Sequence, residues 1–178
     1  MLTDRFLPRD AITRHWLWGL PLVIAIIGLD QLTKYLVLNE PAFNALGCLD
    51  GSSFCGRIEL SPIFDLSMTW NRGVSFGALQ AEGMARWGLF ALTSGIALGF
   101  TVWLLRAERW LTALSLSLVI GGAVGNLIDR ARFGAVVDFL DFSALYFPWI
   151  FNVADAGITV GAGVLLLDQL LAGRKTSG

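Results

Sequence analysis

The sequence predicts an all-α membrane protein: four transmembrane helices, with a small β-cradle and a short surface helix on the outer side. Three observations carry that prediction. The 178 residues are 55% hydrophobic and only 15% charged, with a mean hydropathy of +0.65, far from the balance of a soluble domain. Four stretches (residues 16–38, 87–105, 110–128 and 150–172) each approach the roughly 20 apolar residues that a bilayer crossing requires. Trp16, Trp18, Trp87, Trp103, Trp110 and Trp149 lie near the ends of these stretches, where indole rings anchor helices at the interface. Helices in soluble cores are shorter and apolar along one stripe only. The chain, residues 1–178, reads as a single integral membrane domain.

The first stretch follows a basic tail and so imitates a secretion signal. It runs on into Asp30-Gln31-Leu32-Thr33-Lys34 and further apolar residues, without a small-residue cleavage site, and is expected to remain as an anchor. Ala45-Leu46-Gly47-Cys48 faintly resembles a lipidation box, but polar Asn39, Glu40 and Asn44 separate it from the apolar run. Orientation follows from the basic residues. With the N-terminus inside, residues 1–15, 106–109 and 173–178 carry seven Lys and Arg in 25 positions. The outer loops, 39–86 and 129–149, carry five in 69. The positive-inside rule then puts both termini in the cytoplasm.

Within the outer loops, residues 57–70 (RIELSPIFDLSMTW) are β-branched and aromatic around a Ser61-Pro62 break, the pattern of a short hairpin. Residues 74–83 suit a small surface helix, and 133–142 (FGAVVDFLDF) read as extended. Irregular backbone does not lie bare in hydrocarbon, so these pieces are expected to form a cap on the bundle. Glycines four apart, Gly95 and Gly99, Gly121 and Gly125, Gly157 and Gly161, suggest close helix contacts on the second, third and fourth spans.

The net charge of −1 offers no electrostatic footprint for nucleic acid. His15 is the only histidine, which removes His-rich metal sites, H-E-x-x-H zinc proteases and Ser/His or Cys/His nucleophile pairs. What remains is carboxylate chemistry. Ionisable groups at membrane depth are functional candidates by default, and here they gather at the outer ends. Asp30 and Lys34 close the first span, spaced to pair along the helix. Asn126, Asp129 and Arg130 end the third. Asp138 and Asp141 follow in the loop, and Asn152 and Asp155 open the fourth span, where they also fit a capping box. Asn71 and Arg72 come from the first loop. Asp168 is 13 residues beyond Asp155, about 20 Å along a helix, and is expected at the inner surface. Two neighbouring carboxylates cannot both ionise cheaply, so one keeps a proton. Such a pair can hydrolyse a peptide through an activated water. Spacing alone leaves the pair open among Asp129, Asp138, Asp141 and Asp155.

Four blocks resemble the lipoprotein signal peptidase (signal peptidase II) family in order and spacing. They are Leu29-Asp30-Gln31 with Lys34, the segment Trp70-Asn71-Arg72-Gly73-Val74-Ser75-Phe76-Gly77, the run 121–130 (GGAVGNLIDR) followed by Val136-Val137-Asp138-Phe139, and Phe151-Asn152-Val153-Ala154-Asp155. The resemblance implies a catalytic dyad of Asp138 and Asp155. It implies supporting roles for Asp30, Lys34, Asn71, Asn126, Asp129, Arg130 and Asn152, holding substrate and dyad in fixed geometry. It further implies a bacterial inner-membrane aspartic endopeptidase with its site on the periplasmic side, expected to be a monomer. Such an enzyme cuts diacylglyceryl-modified prolipoproteins just before the lipidated cysteine, uses no cofactor or metal, and is inhibited by globomycin.

Residues 41–59 look longer than the family's usual connection. They carry Cys48 and Cys55, which are expected to form a disulfide in an oxidising compartment. The rival enzyme reading is a quinone-linked membrane disulfide oxidoreductase, also a small four-helix protein with outer cysteines. It calls for a C-x-x-C motif, whereas six residues separate Cys48 from Cys55. A non-enzymatic scaffold or channel would tolerate neutral replacement of the outer aspartates.

Overall fold

The computed structural model describes residues 15–48, 55–73 and 84–175. In chain order these form α1 (Trp16–Leu38), a short α2 (Pro41–Ala45), β1 (Gly56–Glu59), β2 (Asp65–Asn71), α3 (Met84–Leu105), α4 (Trp110–Phe133), β3 (Val136–Asp141), one 3-10 turn (Ser143–Leu145), β4 (Ile150–Phe151) and α5 (Val153–Lys175). The surface helix expected at 74–83 lies outside the described residues.

Helices α1, α3, α4 and α5 are each long and apolar enough to cross a membrane. They expose large apolar side chains such as Ile24, Leu98 and Leu166, at 63–70% of their full area, as lipid-facing helices do. Helix α4 is the exception. In its most apolar window 67% of residues are buried, against 11–22% in the other three, so α4 is the central post around which the others stand.

Small residues allow that packing. A side chain at Gly161 would meet the Ser115 carbonyl oxygen at 2.7 Å, and one at Gly121 would meet Ile26 Cβ at the same distance. Gly125 gives its space to Asp30, whose Oδ2 would stand 2.6 Å from an added Cβ. Thus α4 and α5 approach backbone to backbone, and α1 lies against α4. The expected contact through Gly95 and Gly99 is not made. Nothing lies within 4 Å of a Cβ at either position, so the spacing on α3 does not mark a tight interface in this chain.

Four helix ends shift by three residues or more from the hydropathy pattern: α3 starts at Met84 and α5 ends at Lys175, and the other two shifts have structural causes. The third span continues past residue 128 to Phe133, through Asp129 and Arg130, and ends at Gly134 with φ 74°. Polar residues stopped the apolar run, but their side chains find partners, so the helix persists until a residue that tolerates the left-handed conformation. Phe133 is therefore helical, and the extended segment is Val136–Asp141. The fourth span begins at Val153 instead of residue 150, because Ile150 and Phe151 pair with Asp141 and Leu140 as β4.

The outer cap is a four-stranded antiparallel sheet in the order β1-β2-β3-β4. The hairpin of β1 and β2 turns at Ser61, whose N–H donates to Phe64 O and whose hydroxyl accepts from Phe64 N–H, both at 3.0 Å. Beneath the sheet, Met68, Trp70, Val137 and Phe139 pack with Val37 of α1 and Phe43 of α2. A disulfide between Cys48 and Cys55, Cα atoms 5.1 Å apart, ties the end of α2 to the start of β1. Cys48 is fully buried.

Candidate active site

The backbone brings the polar blocks to one end of the bundle. Pairing of β2 with β3 sets Thr69 opposite Asp138 and Asn71 opposite Val136. From there the Asn71 side-chain amide donates to Asp138 Oδ2 at 3.1 Å. On the other side, Asn152 donates to Asp138 Oδ1 at 2.7 Å. Asn152 also caps α5: Asp155 N–H donates to its Oδ1 at 2.8 Å, and its own N–H donates to Asp155 Oδ2 at 3.3 Å. This reciprocal pair is the capping box read in the sequence, and it fixes Asp155 in the first turn of the helix. Asn126 of α4 then donates to Asp155 Oδ1 at 2.9 Å. Three asparagines thus hold two carboxylates.

A buried charge cluster supports this arrangement from behind. Lys34 Nζ lies 2.9 Å from Asp30 Oδ2 and 2.7 Å from Asp129 Oδ2, with all three side chains at most 3% exposed. Lys34 also donates to Asn126 Oδ1 at 3.2 Å. Asp30 Oδ1 accepts the Ala154 N–H at 3.0 Å, and Asp129 Oδ2 accepts the Val137 N–H at 3.2 Å. The cluster therefore locks α1, α4, α5 and β3 to one another next to both carboxylates. A buried ion pair is weak evidence for net stability, but one making this many directed bonds fixes geometry.

Asp138 and Asp155 share the wall of a cavity of about 570 Å³ with Asn71, Arg72, Thr69 and an apolar set dominated by Phe147–Phe151, Ile158 and Val160. Burial pushes the Asp138 carboxyl up, and the neighbouring Asp155 charge pushes the same way, to about 8. Hydrogen bonds from Asn71 and Asn152 and the charge of Lys34 oppose the rise. Asp138 therefore holds a proton at neutral pH.

Arg130 donates to the Gly73 carbonyl at 3.2 Å, steadying the loop after β2. Asp141 points to the opposite side of β3 from Asp138, as residues three apart in a strand do. There it accepts from Ser67 at 2.6 Å and from Ser143 N–H at 2.9 Å. Burial raises the Asp141 carboxyl, but these hydrogen bonds outweigh it and the net shift is downward. Asp168 lies away from Asp155, beside Arg109 and Thr112 at the start of α4, but it is fully buried instead of at a surface, 2.7 Å from Arg109 and 2.5 Å from the Thr112 hydroxyl. Neither residue lines the cavity.

Two contributors escaped the sequence reading as site residues. Gln31 donates to Asp30, to Asp129 and to the Gly125 carbonyl at 3.0–3.2 Å. Its position beside Asp30 was the available signal. Thr69 Oγ1, on the cavity wall, is a buried hydroxyl without a hydrogen-bond partner among the described residues, and only strand register could have placed it there. Among the described residues, no group of three or more His, Cys, Asp or Glu side chains is arranged to hold a metal ion.

Comparison with known proteins agrees with this architecture. The chain is 42% identical over 167 residues to a lipoprotein signal peptidase of Caulobacter vibrioides, covering 93% of this chain and 94% of that protein. It is 43% identical over 162 residues to one of Brevibacillus brevis, covering 89% and 99%. Two solved structures of a bacterial membrane enzyme, obtained by the in meso method at 2.3 and 1.9 Å, share the fold. Their TM-scores are 0.70 and 0.68, with identities of 24% and 25%. Each alignment covers 85% of this chain, and 87% and 92% of the respective structures. Residues 22–171 match the family model described as signal peptidase (SPase) II, and the chain belongs to that family.

Proposed function

We propose that this signal peptidase II works as an aspartic endopeptidase, with Asp138 and Asp155 as its catalytic pair. The observation that supports this best is the pair itself: two carboxylates on one cavity wall, with Asp138 raised to about 8. A water between them loses a proton to Asp155, whose charge the N-terminus of α5 stabilises, as its oxygen attacks the scissile carbonyl. Asp138 gives its proton to the carbonyl oxygen. Collapse of the tetrahedral intermediate returns that proton to Asp138 and breaks the C–N bond, while the proton held by Asp155 passes to the leaving amine. No covalent intermediate forms, and each carboxyl ends in its starting state. Lys34, Asp30, Asn126, Asp129, Asn71, Asn152 and Arg130 hold the pair and its surroundings in place.

The cavity supports the substrate reading. Its walls combine the carboxylates with Ile158 and half-exposed Val160 on the lipid side of α5, so an acyl chain entering from lipid reaches the scissile bond. Diacylglyceryl-modified prolipoproteins fit this shape, and each buried CH₂ adds about 0.8 kcal/mol to binding. The basic residues favour cytoplasmic termini in a bacterial inner membrane, with the cavity on the periplasmic side. A single chain supplies both carboxylates and all three asparagines, which favours a monomer.

The test is a gel-shift assay of purified protein with diacylglyceryl-modified and unmodified precursor, with and without globomycin. Cleavage confined to the modified precursor and blocked by the peptide is expected. Equal turnover of both precursors would overturn the substrate reading, and full activity of Asp138→Asn would overturn the dyad.

A further inference from the structure

A second cavity, of about 220 Å³, lies beside the first, walled by Arg72, Arg86, Arg130 and Arg132 together with Trp87 and Phe133. At about 30 Å³ per water in the liquid, it has room for a compact polar headgroup. The arginines come from three places: the segment after β2, the first turns of α3 and the last turn of α4. No acidic residue is among the described residues lining it, and neither Arg86 nor Arg132 has an ion-pair partner among the described residues. Instead, the Arg86 guanidinium lies 5.1 Å from the Trp87 ring centre and that of Arg132 lies 4.7 Å from the Phe133 ring. The C-terminal end of α4 accounts for favouring Arg130 and Arg132, since helix carbonyls attract cations. It does not account for the Arg86 guanidinium converging on the same cavity from α3, where like charges repel.

We propose that this pocket binds a phosphate group, and that its occupant is the headgroup of an anionic phospholipid. Guanidinium forks match phosphate oxygens in pairs. The place selects the lipid: Trp87 and the ends of α3 and α4 mark the level where headgroups sit, and guanidinium groups at that level can pair with a headgroup phosphate. Arg72 lines both cavities, and Arg130 bonds to Gly73 on the wall of the first, so a bound headgroup lies next to the catalytic cavity. Binding itself rests on the arginine pocket alone, independently of the dyad.

Native mass spectrometry of the delipidated full chain tests the assignment, with phosphatidylglycerol, phosphatidylcholine and inorganic phosphate as separate probes. Wild type should retain phosphatidylglycerol over phosphatidylcholine, and Arg86→Gln/Arg132→Gln should weaken that retention about thirtyfold, the effect of two interfacial arginines. Arg86→Lys/Arg132→Lys, which keeps the charge but loses the fork, should fall between. Cleavage in zwitterionic micelles should be unchanged in both double variants, confirming the fold, because neither residue lines the catalytic cavity. Undiminished phosphatidylglycerol retention in the glutamine variant would overturn the site. Phosphatidylglycerol held no better than phosphatidylcholine, with inorganic phosphate bound as well as either, would overturn the lipid as occupant.

Discussion

The side-chain amide of Asn152 donates a 2.7 Å hydrogen bond to Asp138. Through its backbone N–H and its Oδ1 the same residue also holds Asp155. The two carboxylates are therefore oriented by one residue and should fail together. Asp138→Asn and Asp155→Asn should each lower kcat/KM by about 10²–10⁴-fold, the range of a lost acid or base. The double variant should be little worse than either single one, since members of one catalytic unit are not additive. Asp141→Asn and Asp168→Asn, compared as correctly inserted protein, should retain near-normal cleavage. Multiplicative losses in the double variant would mean that the two carboxylates act separately.

With Asp138 as the proposed acid, its proton should set an alkaline limit to activity. Burial and the Asp155 charge raise its carboxyl from 3.8 to about 8, so the acid form is present below that pH and lost above it. The profile of kcat/KM should fall on an alkaline limb near pH 8. Asn71 donates to this carboxylate and pulls the value down, so Asn71→Ala should move the limb upward as well as reduce the rate. The sign for folding is the same. The folded state binds the proton more tightly than the unfolded chain, so this contribution to stability is complete below about 3.8 and declines as pH rises through about 8. An alkaline limb that stays in place in Asn71→Ala would separate the limb from Asp138.

Local signals made much of this fold readable. The four spans, their tryptophan borders and the hairpin around Ser61-Pro62 each depend on a few neighbouring residues. The pairing of Asp30 with Lys34 was readable too, as a one-turn spacing. That Asp129 completes the cluster was not, because it depends on how α1 meets α4, and Gly125 permits that by giving Asp30 room. The end of α4 was misplaced for a related reason: hydropathy registers Asp129 and Arg130 as a stop, whereas tertiary partners make them part of the helix. Choosing Asp138 over Asp141 needed strand register or a family likeness, since both are buried aspartates in one strand.

Lys34 should be the most costly single residue to neutralise. It sits between Asp30 and Asp129 with all three side chains almost wholly buried. Lys34→Met removes the positive charge and leaves two carboxylates facing each other, a loss of about 3–5 kcal/mol for a broken buried pair. Asp30→Asn/Lys34→Met should recover part of that, because it removes one stranded charge. Thermal unfolding in detergent reads both. A double variant less stable than Lys34→Met would contradict the account, as it would place the penalty in lost packing instead of in charge.

The disulfide should matter for stability more than for catalysis. Joining Cys48 to Cys55 closes a short loop between partners seven positions apart, for which chain entropy gives about 2–3 kcal/mol. Its effect reaches the sheet through Trp70, whose indole N–H donates to the Cys48 carbonyl at 2.9 Å, and through Cys55, whose N–H donates to Met68 O at 3.1 Å. The position of Asn71 has a second support, the pairing of β2 with β3 at Trp70–Val137 and Asn71–Val136, which does not involve the cysteines. Cys48→Ser/Cys55→Ser should therefore unfold at lower temperature yet keep cleavage within about tenfold of wild type, a change of no more than 1.4 kcal/mol in the barrier. A reductant should lower the wild-type Tm toward that of the double variant and leave the variant unmoved. A larger loss of cleavage in the double variant would mean that the sheet alone does not hold Asn71 against Asp138, and that the loop clip belongs to the positioning of the dyad.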